Sequence, residues 1–175
     1  MQNRILETER LYFRELTQDD FDAVCRIMQD EETMRAAYEG IYTDDEVRRW
    51  IDYKLAHYAK HGFGLWAVIL RETDELIGQC GITMQQWKDE ETHEIGYLFR
   101  RDCWHRGYAV EAATACKQYA FDVLGVERVC SMVRDTNIAS QKVAERLGMI
   151  VADRAVKNFR GVDMMFWLYE LRRTD

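Results

Sequence analysis

"WHRGYAVEAA" (104–113) sets one glycine between an arginine and a tyrosine, then runs into small apolar residues. Glycine loses more conformational freedom on ordering than any other residue, so Gly107 at the start of a helical pattern implies a need for room or bare backbone. The continuation, "GYAVEAATACKQYAFDVLG" (107–125), puts Ala109, Ala112, Ala113, Cys116, Ala120 and Val123 on an inner helical face and stops at Gly125. Small residues of this kind let a helix lie close to a sheet. A helix N-terminus also presents unpaired N–H donors and the positive end of the macrodipole. With Gly107 open and Arg106 beside it, the stretch reads as a phosphate cradle. Taken alone, a glycine here is an ordinary cap, and neither GxxxxGK[ST] nor GxGxxG occurs.

Working outward, "RLYFREL" (10–16) alternates as a strand, with Leu11, Phe13 and Glu15 on one face. "TQDDFDAVCRIM" (17–28) opens on Thr17 as N-cap and carries Phe21, Val24, Cys25 and Met28 as a helical stripe. A second helix spans 43–62, with a Thr43–Glu46 capping box, Val47, Trp50, Ile51, Leu55 and Tyr58 inside, and a stop at Gly62. "FGLWAVIL" (63–70), "ELIGQCGITM" (75–84) and "HEIGYLF" (93–99) form a strand meander leading into the Gly107 helix. "RVCSMV" (128–133) is a buried-type strand, and Asn137 caps a short helix ending at Gly148. Segments 149–158 and 162–171 flank "FRG" as a hairpin, whose "MMFWLYEL" is either core or a dimer edge. The order β-α-α-β-β-β-α-β-α-β-β predicts an α/β (α+β) domain around one mixed, mostly antiparallel sheet.

Residues 1–175 fit a single domain, and a chain of this size buries about 70% of its unfolded surface. Proline is absent, and no linker, repeat or low-complexity stretch divides the chain. No apolar run spans a membrane, and "MQNRILETERLYF" lacks the apolar segment of a signal peptide, so a cytoplasmic location is expected. Cys25, Cys80, Cys103, Cys116 and Cys130 are dispersed and odd in number, which predicts reduced thiols and no zinc site. The net charge of −7 argues against nucleic-acid binding. From Glu15 to Glu46 eleven acids face two basic residues, which is either a solvated surface or a rim attracting cationic acceptors.

In order and spacing, "EIGYLF", "WHRGYAVEA" and "DTNIASQKVAERLGM" resemble the GNAT N-acetyltransferases, and most closely their ribosomal-protein (RimJ/RimL) branch. "ETERLYFREL" and "ELIGQCG" match that family's first and third strands, so the resemblance runs from about Thr8 to Arg172. It implies the GNAT fold with splayed central strands, and acetyl-CoA as cosubstrate with no metal. It further implies transfer to an amine: a protein N-terminus, or a small cationic amine such as a polyamine or aminoglycoside. The family's pyrophosphate loop falls on Trp104, His105, Arg106, Gly107, Tyr108 and Ala109, with Val110 and Glu111 completing the turn. Trp104 stands where Gln or Arg is usual, and His105 where glycine is. The main chain of Leu98, Phe99 and Arg100 is expected to pair with the pantetheine arm. Asn137 would hold that arm from the other side, and Ser140 matches the position whose hydroxyl approaches the thioester sulfur.

Amide formation from a thioester needs a neutral amine and a proton for the departing thiolate. Glu94 shares a strand face with Gly96 and Leu98, so a carboxylate points where an apolar residue would pack, and burial there would raise its pKa toward that of a useful base. A strand-end Glu paired with a surface cation is the plainer reading. Ser140 is the corresponding candidate donor to the thiolate, although serine in a first helical turn is also an ordinary cap. Tyr97 and Tyr108 read as packing residues, either hydroxyl being a stand-in proton donor. His57 and His61 have the i,i+4 spacing of a metal pair but no HExxH or third ligand, so both read as exposed. Cys103, near the loop, reads as a bystander rather than a nucleophile. Trp50, Tyr53, Trp66 and Trp87 are core or hairpin aromatics, one or two of them candidates to line an acceptor cleft. A non-catalytic acyl-CoA-binding regulator is the alternative, and a homodimer is left open.

Overall fold

The computed structural model describes residues 3–37 and 40–174, so Glu39 of the acidic run lies outside the described residues. Alternation in the first segment gives β1 (Leu6–Glu7) and β2 (Leu11–Arg14), with Leu11 and Phe13 fully buried. Thr17 caps a 3-10 turn, Gln18–Asp20, rather than the helix itself, because Asp20 returns its side chain to the Thr17 backbone. The helix α1 (Phe21–Met28) follows, and Val24, Ile27 and Met28 are its buried stripe, with Cys25 only half-covered. An unexpected helix, α2 (Glu31–Ala37), is started by Asp30, whose carboxylate accepts from the Thr33 N–H (3.0 Å) and hydroxyl (2.7 Å). The next, α3 (Asp44–His61), begins with the Thr43–Glu46 capping box read from the sequence.

Three long strands follow: β3 (Leu65–Leu70), β4 (Glu75–Trp87) and β5 (Glu90–Phe99). After them come α4 (Tyr108–Asp122), β6 (Arg128–Arg134), α5 (Ile138–Arg146) and a hairpin of β7 (Ile150–Phe159) and β8 (Val162–Arg172). Among the described residues one sheet of 8 strands runs β1-β2-β3-β4-β5-β6-β8-β7. It is antiparallel throughout except between β5 and β6. Because β8 lies between β6 and β7, "MMFWLYEL" is an interior strand, and β7 takes the edge. No described helix is long and apolar enough to cross a membrane.

The helices cover both faces. Successive strand residues point to opposite sides, and Gln79 and Cys80 show this directly. Trp50 Nε1 of α3 donates to Gln79 Oε1 (2.8 Å), whereas Cys80 Sγ meets Cys116 Sγ of α4 at 3.6 Å on the other face. Ala112, Ala113, Cys116 and Ala120 are fully buried there, as their size requires. Val123 does not join them: α4 has ended, and its side chain is 64% exposed. Gly81 is needed for a different reason, since a Cβ would lie 1.9 Å from the Gly64 carbonyl oxygen that accepts from Ile82 N–H.

The feature that positions the site is the junction of β5 and β6. On its other side β5 pairs with β4 along its whole length, from Trp87↔Glu90 to Gly78↔Phe99. Against β6 it has a single registered pair, Glu94↔Cys130. Just beyond, the Ile95 carbonyl accepts from the Ser131 hydroxyl (2.8 Å), a side chain standing in for a ladder bond. The two strands diverge from that point and leave the outer edge of β5 open.

Candidate active site

Two cavities meet at this divergence, and Tyr97 and Leu98 line both. The first, about 450 Å³, lies between the end of β5, the start of α4 and the first turns of α5. Gly107 is the N-cap of α4 at φ 79°, in the left-handed region, and no side chain caps the helix. The first-turn amides of α4 therefore face the groove without an intrahelical acceptor. His105 is also left-handed, at φ 61°, which explains why a glycine would suit that position; a side chain there is carried at a conformational cost. Trp104 closes the loop onto the strand by donating from Nε1 to the Phe99 carbonyl (2.9 Å).

Of the residues singled out in the sequence, Leu98, Phe99 and Gly107 line this groove, and so do Tyr108, Ala109 and Val110. Asn137 and Ser140 line it from α5. Three others do not line it. The Arg100 guanidinium pairs with Asp102 (2.6 Å) and Glu75 (3.5 Å). Arg106 offers its carbonyl to Arg10 (2.9 Å) and does not line the groove. Glu111 accepts from Thr8 Oγ (2.6 Å), Arg10 N–H (2.9 Å) and Arg10 Nε (2.7 Å), so its carboxylate ties the β1–β2 turn to α4. Cationic charge on the groove wall comes instead from Lys142 and Arg146, one turn apart on α5, which the sequence reading passed over.

Asn137 caps α5 by accepting from Ser140 N–H at 3.2 Å. Ser140 Oγ in turn donates to the Tyr97 hydroxyl at 3.0 Å, and that hydroxyl donates to the Ser140 carbonyl at 2.9 Å. Tyr97 is thus more than a packing residue. Burial pushes its pKa up, so the phenol stays protonated. Cys103 also borders the groove, but burial and the neighbouring Asp102 carboxylate raise its thiol pKa, which opposes a thiolate nucleophile.

The second cavity, about 320 Å³, opens on the α3 face and holds Glu94. Burial pushes the Glu94 pKa up to about 7, against the opposing pull of the Met132 amide and of Lys157 and Lys54. A carboxylate with that value is half ionised at neutral pH, which suits a general base. Trp50 and Tyr53 line the cavity, whereas Trp66 is core and Trp87 belongs to a separate buried cluster with Cys130, Met164, Phe166 and Leu168.

Lys54 was not anticipated. It lies 4% exposed with its Nζ 3.9 Å from the Trp50 ring and 5.0 Å from Tyr53, and burial lowers its pKa to about 8. The signal was there: 47, 51, 54 and 58 fall on one helical face, and all four are buried. His57, read as exposed, is also buried, because Phe63 O and Met84 N–H flank its ring (2.8 and 3.1 Å). That pair fixes the neutral tautomer, with Nδ1–H donating to the carbonyl and Nε2 accepting from the amide. Among the described residues no cluster of His, Cys, Asp and Glu is arranged to hold a metal ion, and all five cysteines are free. In the acidic segment, Asp20, Asp30, Glu31, Glu32 and Glu46 are engaged by arginines.

A sequence profile of the acetyltransferase (GNAT) domain matches residues 10–150. The uncharacterized protein YkkB of Bacillus subtilis (strain 168) is 32% identical over 144 residues, covering 82% of this chain and 84% of its own length. The uncharacterized N-acetyltransferase YnaD of the same organism is 31% identical over 82% of this chain and 81% of its own. Among solved structures, an acetyltransferase from Agrobacterium tumefaciens str. C58 superposes with TM-score 0.79 at 32% identity, covering 96% of this chain and 94% of that one. RimL, a ribosomal L7/L12 alpha-N-protein acetyltransferase solved in complex with coenzyme A, has the same fold at TM-score 0.79 and 13% identity, over 97% and 98% of the two chains. The chain belongs to the GNAT acetyltransferase family.

Proposed function

We propose that this chain transfers an acetyl group from acetyl-CoA directly to a primary amine, as in the RimJ/RimL-like branch, with the donor in the α4–α5 groove and the acceptor in the Glu94 cavity. One observation carries the reading: a carboxylate with a pKa near 7 and a Ser–Tyr hydroxyl pair stand on opposite sides of the strand segment that both cavities share. The groove suits a CoA thioester. Its uncapped helix start and two α5 cations favour pyrophosphate, and the open edge of β5 at Leu98 can pair with an extended amide-bearing arm. The bound thioester supplies an activated acyl carbon.

The chain's own residues handle the protons. An alkyl ammonium titrates near pH 10, so Glu94, directly or through water, takes one proton to free the attacking nitrogen. That nitrogen loses a second proton as the amide forms and the carbon–sulfur bond breaks. One hydroxyl of the Ser140–Tyr97 pair turns its hydrogen from its present acceptor to the departing sulfur and gives it a proton, and the second proton from nitrogen restores that hydroxyl, so the products are amide, free thiol and one proton released through Glu94 to solvent. A non-catalytic acyl-CoA-binding regulator would have no use for a near-neutral carboxylate beside the groove. The test is release of free CoA from acetyl-CoA over a panel of peptides with varied N-termini, polyamines and aminoglycosides, with the N-acetylated product identified by mass. Release by one class of amine supports the proposal; acetyl-CoA binding without amine-dependent release overturns it in favour of the regulator.

A further inference from the structure

Resting on that assignment of the second cavity to the acceptor, we infer that the acceptor carries a carboxylate or similar anionic group close to its reactive amine, and that Lys54 and Lys157 bind this group.

The lining of the cavity contains two ammonium groups and, among the described residues, one acid, Glu94. Lys54 is held on α3 with 4% of its surface exposed, and the carboxylate that acts on it is Glu94 of the same cavity, without a direct ion pair among the described residues. Its Nζ rests on the faces of Trp50 and Tyr53, contacts that offset part of the desolvation of a buried ammonium and leave its N–H donors without an acceptor. Lys157, on β7, reaches the same cavity and donates to the Gln86 carbonyl (3.2 Å) and to Met132 Sδ (3.4 Å), both uncharged. Buried cations in proteins are paired as a rule. Here a buried ammonium and a half-buried one converge on a cavity whose one described acid, Glu94, is shared between them and only half ionised at neutral pH, and the positive charge left over points to an anion that arrives with a ligand.

The charge balance argues the same way. An acceptor entering as a simple ammonium would put three cations against one carboxylate in a partly closed cavity. A polyamine or aminoglycoside would add more. An acceptor bearing its own carboxylate brings a partner for the lysines while its amine faces Glu94, and it keeps that anion after the nitrogen becomes a neutral amide. About 320 Å³ accommodates an amino-acid-sized group. The two sources of this chemistry are a free amino acid, through its α-carboxylate, and the first residues of a peptide with an acidic side chain.

The test pairs each amine with its uncharged counterpart: L-amino acids against their carboxamides, and C-terminally amidated peptides with Glu or Asp at the second position against Gln or Asn. Equilibrium binding, read by tryptophan fluorescence because Trp50 lines the cavity, and CoA release are measured on the wild type, Lys54→Met, Lys54→Arg and Lys157→Met. The expected result is a preference for the carboxylate member in one of the two arms. Lys54→Met should reduce that preference about ten- to hundredfold, the range for removing a charged hydrogen-bond partner, and Lys54→Arg should restore part of it. Acetyl-CoA binding monitors folding of the variants. Carboxylate-dependent, lysine-dependent binding without CoA release keeps the anion site and removes acetyl transfer. CoA release that is equal for both members of each pair, or a preference unchanged in both lysine variants, overturns the anion site and leaves transfer standing. Absence of both binding and release across the panel overturns both.

Discussion

Ser140 and Tyr97 are joined twice: the Ser140 hydroxyl donates to the Tyr97 oxygen at 3.0 Å, and the Tyr97 hydroxyl donates back to the Ser140 carbonyl at 2.9 Å. The pair bridges β5 and α5 across the groove, so neither hydroxyl acts independently of the other. Ser140→Ala and Tyr97→Phe should each lower kcat by about a hundredfold, the lower end of the range for general acid–base groups. The double variant should be little worse than either single one, because residues in one hydrogen-bond network are not additive. The defect should persist at high pH and shrink with an acyl donor whose thiol is more acidic. Additive losses in kcat would mean that the two hydroxyls serve different steps.

Gly107→Val tests the helix start. At φ 79° an L side chain costs about 1–2 kcal/mol, and a Cβ would also lie 3.4 Å from the Arg10 guanidinium. The variant should fold but lose the stabilisation of about 2.7 kcal/mol that acetyl-CoA confers at a hundredfold excess over its Kd. His105→Gly is the converse change: relief at φ 61° should raise Tm with acetyl-CoA binding kept. A thermal shift with acetyl-CoA that survives Gly107→Val would remove the cradle.

Much of this was legible because it rests on local rules. Alternation marked β2, the Thr43–Glu46 capping box and the Asn137 cap marked the starts of α3 and α5, and the alanine face of α4 announced a helix pressed on a sheet. The motif order carried the family. What stayed hidden depends on tertiary partners. His57 looked exposed because nothing nearby in sequence reveals Phe63 O and Met84 N–H as its two partners. The side chain of Glu111 joins Arg10 and Thr8, which are about a hundred positions away. Ser140 was visible as a hydroxyl in the first turn of a helix, but its link to Tyr97 requires the fold of β5 against α5. Lys54 was legible by periodicity, and a lysine's charge obscured it.

The His57 arrangement has a pH signature. Burial, the largest cause, together with neighbouring His61, Lys54 and Lys60, lowers its pKa in the folded chain despite the Phe63 carbonyl. The folded state therefore binds fewer protons than the unfolded one near pH 6. Stability from this site is complete above the unfolded value of about 6.5 and is lost as pH falls through it toward the folded value. His57→Leu should destabilise by about 1–3 kcal/mol at pH 7.5, because the Met84 amide and Phe63 carbonyl lose their partner. The gap to wild type should narrow by pH 5.5 in thermal melts. A gap independent of pH would mean that His57 does not titrate differently on unfolding.

Glu94 should show opposite effects on stability and on turnover. Its folded-state pKa, about 7, lies above the ordinary value of 4.5, with burial as the main cause. Between those values the folded chain keeps a proton that the unfolded chain has lost, so this site disfavours folding increasingly as pH rises from about 4.5 to 7, and fully above that. Glu94→Gln removes the charge at constant shape. It should stabilise the protein at pH 8 by roughly 1–3 kcal/mol and have little effect on stability near pH 4. The same change removes the base. At neutral pH turnover should drop at least about tenfold with acetyl-CoA affinity kept, and the loss should shrink as pH approaches the amine's own pKa and free amine is supplied by solvent. Wild-type kcat should rise with pH through about 7, a limb absent from the variant. Near-normal turnover of Glu94→Gln on the best acceptor at neutral pH, with the expected gain in Tm at pH 8, would leave Glu94 buried for structural reasons alone and assign the proton to a water chain or to Lys54.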